Sequence, residues 1–137
     1  MKLLLPLVCA LPLFIASCAS SPLASDKSAE PWFAHDVYFD LNDDSPEARK
    51  ALVKSCWDQL SKLDGVRFFA CGQRDESLTS PVNDQDYDVS LHVIFESRSA
   101  QDAYQVHPKH LAFVTLHLDS WKGVRVFDSF VHGAFTK

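Results

Sequence analysis

A tyrosine and two histidines fall within one short stretch, Ala103-Tyr104-Gln105-Val106-His107-Pro108-Lys109-His110. Phenol and imidazole can pass protons near neutral pH. In one reading the His110 imidazole removes an acidic proton. The Tyr104 phenol, with a reference pKa of ~10, then donates a hydrogen bond to the enolate oxygen. In the other reading Tyr104 closes the core with its hydroxyl at the rim, and His110 caps or bridges the turn. His107 precedes a proline and so has an extended backbone. A local hydrogen bond that fixes the turn is one role for it, and lining a ligand pocket is another. His35 is in phase with Val37 and Phe39 on an alternating segment. It therefore points under whatever covers that face, as a satisfied buried histidine or as a pocket residue.

Other chemistries find little support. His107, His110 and His117 could share a helical stripe, but Pro108 interrupts it and no carboxylate stands at a ligand spacing, so no metal site is expected. No glycine-flanked serine is present, and the chain has only 4 glycines and no phosphate-binding loop. A formal net charge of -5, with no basic cluster, argues against nucleic acid.

The elements that must position these groups follow from periodicity. His35 to Leu41 alternates as a strand. Ser45 can cap a helix that Pro46 starts, with Ala48, Leu52, Cys56, Leu60 and Leu63 on one face and Gly65 as the stop. Val66 to Gly72 is a second strand. Gln73 to Asp86 is a polar loop. Tyr87 to Phe95 alternates as a third strand. Ser97 caps a short helix through Tyr104. A second short helix starts near Pro108 and is expected to turn Leu111, Val114 and Leu118 inward. Val124 to Val131 is the last strand. The order β-α-β-β-α-β, with the second crossover split, is the ferredoxin-like α+β arrangement. Both helical regions would cover one sheet face. Tyr38, Ile94, His92 and, depending on register, Phe69 and Phe127 would lie on the other. That aromatic face is expected to bury itself against a second copy.

The first 17 residues read as a signal peptide. Lys2 is followed by an apolar run from Leu3 to Ile15, too short to span a bilayer. It ends in Ile15-Ala16-Ser17-Cys18, which resembles the lipobox of bacterial lipoproteins, whose cysteine is acylated. That resemblance implies lipid on Cys18. With Ala19 rather than Asp following, it implies an outer membrane anchor facing the periplasm if the host has one. Residues 18–32 would then be the lipidated end and a flexible tether, and 33–137 the folded domain. No second apolar run follows, so the membrane link would be the lipid alone. Cys56 and Cys71 would be left in the exported domain, as a disulfide or as two small buried hydrophobes.

Several segments together resemble the stress-responsive α/β-barrel (Dabb) family. They are His35-Asp36-Val37-Tyr38-Phe39, Gly65-Val66, Tyr87-Asp88 through Phe95-Glu96-Ser97, Ala103-Tyr104 through His110, and Val126-Phe127-Asp128. The resemblance spans roughly residues 33 to 132 and implies a dimeric ferredoxin-like barrel. The family includes a plant polyketide cyclase that uses no metal or organic cofactor. Its acid–base tyrosine and histidine align with Tyr104 and His110, and its first-strand histidine with His35. Two functions are therefore expected. One is an envelope-anchored barrel that binds a small apolar ligand or is structural. The other is a cofactor-free enzyme, cyclase-like or monooxygenase-like, working through a Tyr/His pair. An open cavity with Tyr104, His110 and His35 converging would favour the enzyme, and a packed one the first reading.

Overall fold

The computed structural model describes residues 30–133. Residues 1–29, on which the expected signal peptide, Cys18 and most of the expected tether fall, lie outside the described residues. In chain order the elements are β1 (Trp32–Leu41), α1 (Pro46–Leu60), β2 (Val66–Gln73), β3 (Val89–Phe95), α2 (Arg98–Gln105), α3 (Pro108–His117) and β4 (Trp121–Val131). A short 3-10 turn, Leu118–Ser120, joins α3 to β4. The sheet order is β2-β3-β1-β4, antiparallel throughout. This is the ferredoxin-like α+β fold.

The local signals act where expected. Ser45 and Ser97 each accept a hydrogen bond from the backbone N–H three residues on, at 3.3 and 3.0 Å, and so start α1 and α2. Gly65 turns the chain from α1 into β2 at φ 81°, and a Cβ there would sit 2.6 Å from the Ala100 Cβ on α2. Only glycine meets both demands. It allows α2 to close down on the start of β2.

Alternation sorts the sheet into two faces. Phe33, His35, Val37, Phe39 and Leu41 of β1, with Val89, Leu91, Val93 and Phe95 of β3, are buried under the helices. They meet Leu52, Cys56 and Leu60 of α1, Tyr104 of α2 and Phe113 of α3 in one apolar cluster. Edge strand β4 is less covered: Val124, Val126 and Phe130 face the helix side but stay about half exposed. On the opposite face Tyr38 packs edge-on against Tyr87 and Phe127, at 5.0 and 5.7 Å between ring centroids, and His92 bonds Asp36 at 2.7 Å.

Two expectations about side-chain phase change. Of the expected stripe only Val114 turns inward, packed against the core; Leu111 and Leu118 are more than half exposed, and Phe113 is the residue α3 buries. Phe113 packs on Phe39 and Trp121, at 6.4 and 6.1 Å, which sets the rotation of the helix. Phe69 lies opposite Val93 and therefore faces α1, where it meets Trp57 at 4.9 Å. A register shift between Val66 and Phe68 puts Phe68 on the open face instead.

The polar 74–88 segment is tied down by ion pairs. Arg49 and Asp88, both more than nine-tenths buried, pair at 3.0 Å. Arg49 also bonds Glu76 at 2.6 Å, and Asp88 accepts the Leu41 backbone N–H at 2.9 Å.

Candidate functional site

A cleft of about 250 Å3 opens between the sheet and α3, along the poorly covered β4 edge. One end is polar and is lined by His35, Tyr104, His110 and Asp128. The rest is apolar, with Val37, Phe39, Leu91, Phe113, Val124 and Val126 among its walls. The acid–base pair Tyr104 and His110 and the candidate pocket residue His35 thus share one space. The Tyr104 ring lies 6.2 Å from His35 and 4.6 Å from His110, centroid to centroid.

Each group is held by a different local device. His35 comes from β1, and the β1–β4 register sets Asp128 directly opposite it. Its Nδ1–H donates to the Asp128 carboxylate at 2.7 Å. That bond fixes the tautomer and leaves Nε2 as the free lone pair. Tyr104 ends the buried stripe of α2 and is only 3% exposed. Its ring lies against Phe95 at 4.9 Å, and no hydrogen bond joins its hydroxyl to another described residue. Burial, with Cys56 adding to it, pushes the phenol well above its ordinary value, so it stays protonated and keeps its O–H for donation.

His110 lies in the first turn of α3, two residues after Pro108. Its Nδ1–H donates to the Gln105 carbonyl, left free at the end of α2, at 3.0 Å. The Nε2 lone pair is again left over. Burial pushes this imidazole below its ordinary value, although the bond to Gln105 pulls the other way; His35 and His107 lower it further. His110 is therefore neutral near pH 7 and able to accept a proton.

His107 is placed differently. It is the N-cap of α3, its Nδ1 accepting the Lys109 backbone N–H at 3.1 Å. It is not among the residues lining the cleft. His117 is also turned away: its Nε2 bonds the Ser55 hydroxyl at 2.7 Å and joins α3 to α1. Among the described residues no three His, Cys, Asp or Glu side chains gather closely enough to hold a metal ion.

Two site residues were missed in the sequence. Asp128 is in phase with Val124 and Val126 on β4, and a carboxylate on an inward phase was the available signal. Trp121 opens β4 and stacks on Phe39 at 5.1 Å, forming the apolar end of the cleft. Its indole N–H is buried without a partner among the described residues. Nothing in the sequence marked it, because its place depends on the turn before β4. A second hollow of about 300 Å3 lies on the open sheet face between Tyr38, Tyr87, Arg125 and Phe127. Its Arg125 is already paired with Asp84 at 2.6 Å, and it gathers no comparable acid–base set.

The sequence matches the family model for the stress responsive A/B barrel domain, Dabb, over residues 33–131. Similar solved structures agree in fold. A Dabb family protein from Mesorhizobium loti is 24% identical, with 76% of this chain and 100% of that one covered, at a TM-score of 0.63. A dimeric ferredoxin-like protein of unknown function from Thermobifida fusca is 18% identical, with 74% and 92% covered, also at 0.63. A hydroxynitrile lyase from Passiflora edulis is 11% identical, with 79% and 99% covered, again at 0.63. No curated protein matches the sequence.

Proposed function

The chain belongs to the stress-responsive A/B barrel (Dabb) family, and from that premise we propose that it binds a small, mostly apolar carbonyl compound in the β4-edge cleft. The carrying observation is the cleft itself: about 250 Å3, apolar along its length, with donor and acceptor groups gathered at one end. Its volume lies just below the range of drug-sized ligand pockets, about 300 to 1,000 Å3, and so fits only a small ligand. A carbonyl oxygen at the polar end would take the Tyr104 hydroxyl, which otherwise has no partner among the described residues. The working form is a homodimer joined through the open sheet face; the support is that exposed aromatic face together with the dimeric state of the Thermobifida relative. Lipid on Cys18 would hold it at the cell envelope, at the outer membrane facing the periplasm in a two-membrane host; the support is the Ile15-Ala16-Ser17-Cys18 sequence. Mass spectrometry of the mature N-terminus tests that anchor, and an unmodified chain starting elsewhere removes it.

A second reading is favoured by one specific feature, the His35–Asp128 pair beside Tyr104. A histidine oriented by a carboxylate, a neutral second histidine and a phenol are the parts of cofactor-free proton transfer. Either Nε2 would remove a proton next to a carbonyl, and the phenol would stabilise the enolate. The lyase relative shows that such a fold can carry an enzyme, but at 11% identity it speaks for the fold alone.

One experiment separates the readings. A panel of small aryl and alkyl 1,3-diketones is titrated in deuterated buffer and followed by NMR. Binding shifts the His35, Tyr104 and His110 resonances; silence at all three across the panel overturns the proposal. Exchange of the central C–H above the buffer rate, lost in Tyr104→Phe and in His35→Gln, supports the enzyme. Binding without exchange leaves the ligand-binding barrel.

A further inference from the structure

Two thiols meet where α1 crosses the edge strand β2. Cys56 lies on the buried stripe of α1 between Leu52 and Leu60 and is fully buried. Cys71 lies opposite Leu91, on the helix-facing side of β2. The Trp57 and Phe69 rings, next to these cysteines on the same two elements, are 4.9 Å apart and fix how α1 lies over β2. Both cysteines pack into one apolar cluster, and both are free thiols. Cys56 is next to Trp57 on α1 and Cys71 is two residues from Phe69 on the same face of β2, so the Trp57–Phe69 contact brings the two thiols together in that cluster.

We propose that Cys56 and Cys71 are a disulfide site, closed by exchange with a disulfide donor, that staples α1 to the edge strand β2. The two cysteines divide the work. Cys71 is partly exposed and is the one a reagent reaches. The nearness of Cys71, and then burial, hold the Cys56 thiol far above its ordinary value, so Cys56 does not start the exchange. The Cys71 thiolate attacks one donor sulfur and expels the first donor thiol. Cys56 then loses its proton, attacks the Cys71 sulfur of the mixed disulfide and expels the second. Two protein thiols become one disulfide, and two electrons and two protons leave on the donor as two thiols. The closed loop ties the outermost strand, paired on one side only with β3, to the helix above it. Neither cysteine lines the ligand cleft, so the proposal stands or falls apart from the binding reading.

The full-length protein is equilibrated with oxidised glutathione under native conditions, alkylated and digested with trypsin. The expected product is peptide 55–62 joined to peptide 68–74, two hydrogens lighter than the separate peptides. The oxidised protein should also melt about 10 °C above the reduced one, a gain absent from Cys71→Ala. Four results overturn the proposal: both peptides alkylated after equilibration; glutathione retained on Cys71; Cys71 joined instead to Cys9 or Cys18; or a linked protein that melts no higher than the reduced one.

Discussion

At the scale of residues, the polar end of the cleft depends on keeping one imidazole neutral. Burial lowers the His110 pKa, so the unfolded chain takes up a proton first as the pH falls below about 6.5. Stability from this group is complete above that value and is lost on acidification. His117, also lowered by burial, acts in the same direction. Tyr104, His35 with its Asp128, and His107 are the titratable groups around His110. The urea midpoint should therefore fall between pH 7.5 and 5.5, above the range in which carboxylates titrate. His110→Asn keeps an N–H for the Gln105 carbonyl and removes the titration, so the fall should become shallower without vanishing. A midpoint that rises on acidification would contradict this. Tyr104→Phe, in contrast, should change stability by less than about 1 kcal/mol, because the hydroxyl makes no bond to a described residue. Thermal unfolding of that variant checks it. The sequence placed Tyr104, His110 and His35 by periodicity. It did not reveal the oxygen that holds the His35 imidazole, because Asp128 reaches His35 across 93 positions of chain.

At the scale of elements, the connection between α1 and β2 is the least replaceable. Gly65→Ala imposes left-handed strain of about 1–2 kcal/mol. It also sets a methyl group 2.6 Å from the Ala100 Cβ, itself fixed by the Ser97 cap. Overpacking of this kind costs about 1–3 kcal/mol more. The variant should lose roughly 2–5 kcal/mol in urea unfolding; a loss below about 1 kcal/mol would mean that the turn rearranges. Element types and order were legible because caps, prolines and alternation are local. Helix rotation was less so. In α3 an apolar residue stands on nearly every side, so periodicity alone could not choose Phe113 over Leu111. The aromatic contacts with Phe39 and Trp121 made that choice.

At the scale of the whole molecule, one sheet face is under helices and the other carries Tyr38, Phe68, Ile94 and Phe127 with nothing described above them. Phe68 and Phe127 are each 54% exposed. Apolar surface of this kind is expected to pair with its copy. Phe127→Lys puts a charge on the β4 side of that face, beside Tyr38, without touching the core under the helices. It should give a folded monomer by light scattering and circular dichroism, where the parent chain should give a dimer. A variant that remains dimeric would move the interface elsewhere.

The sequence by itself determined the element order, the sheet faces of β1 and β3, the family, and the Tyr104, His110 and His35 trio. The elements and faces rest on periods of two and 3.6 residues and on caps that act over a few positions, and the family and the trio on the residues that resemble the family's. Only the tertiary structure decided that β4 is left half covered, so that a cleft opens beside it. It also set Asp128 against His35, sent Phe69 under α1, made His107 a cap and brought Cys71 to Cys56. Each of these depends on strand register or on how a helix is rotated over the sheet. Register and rotation are set by contacts between residues far apart in the chain, where a shift of one position reverses which side a side chain faces.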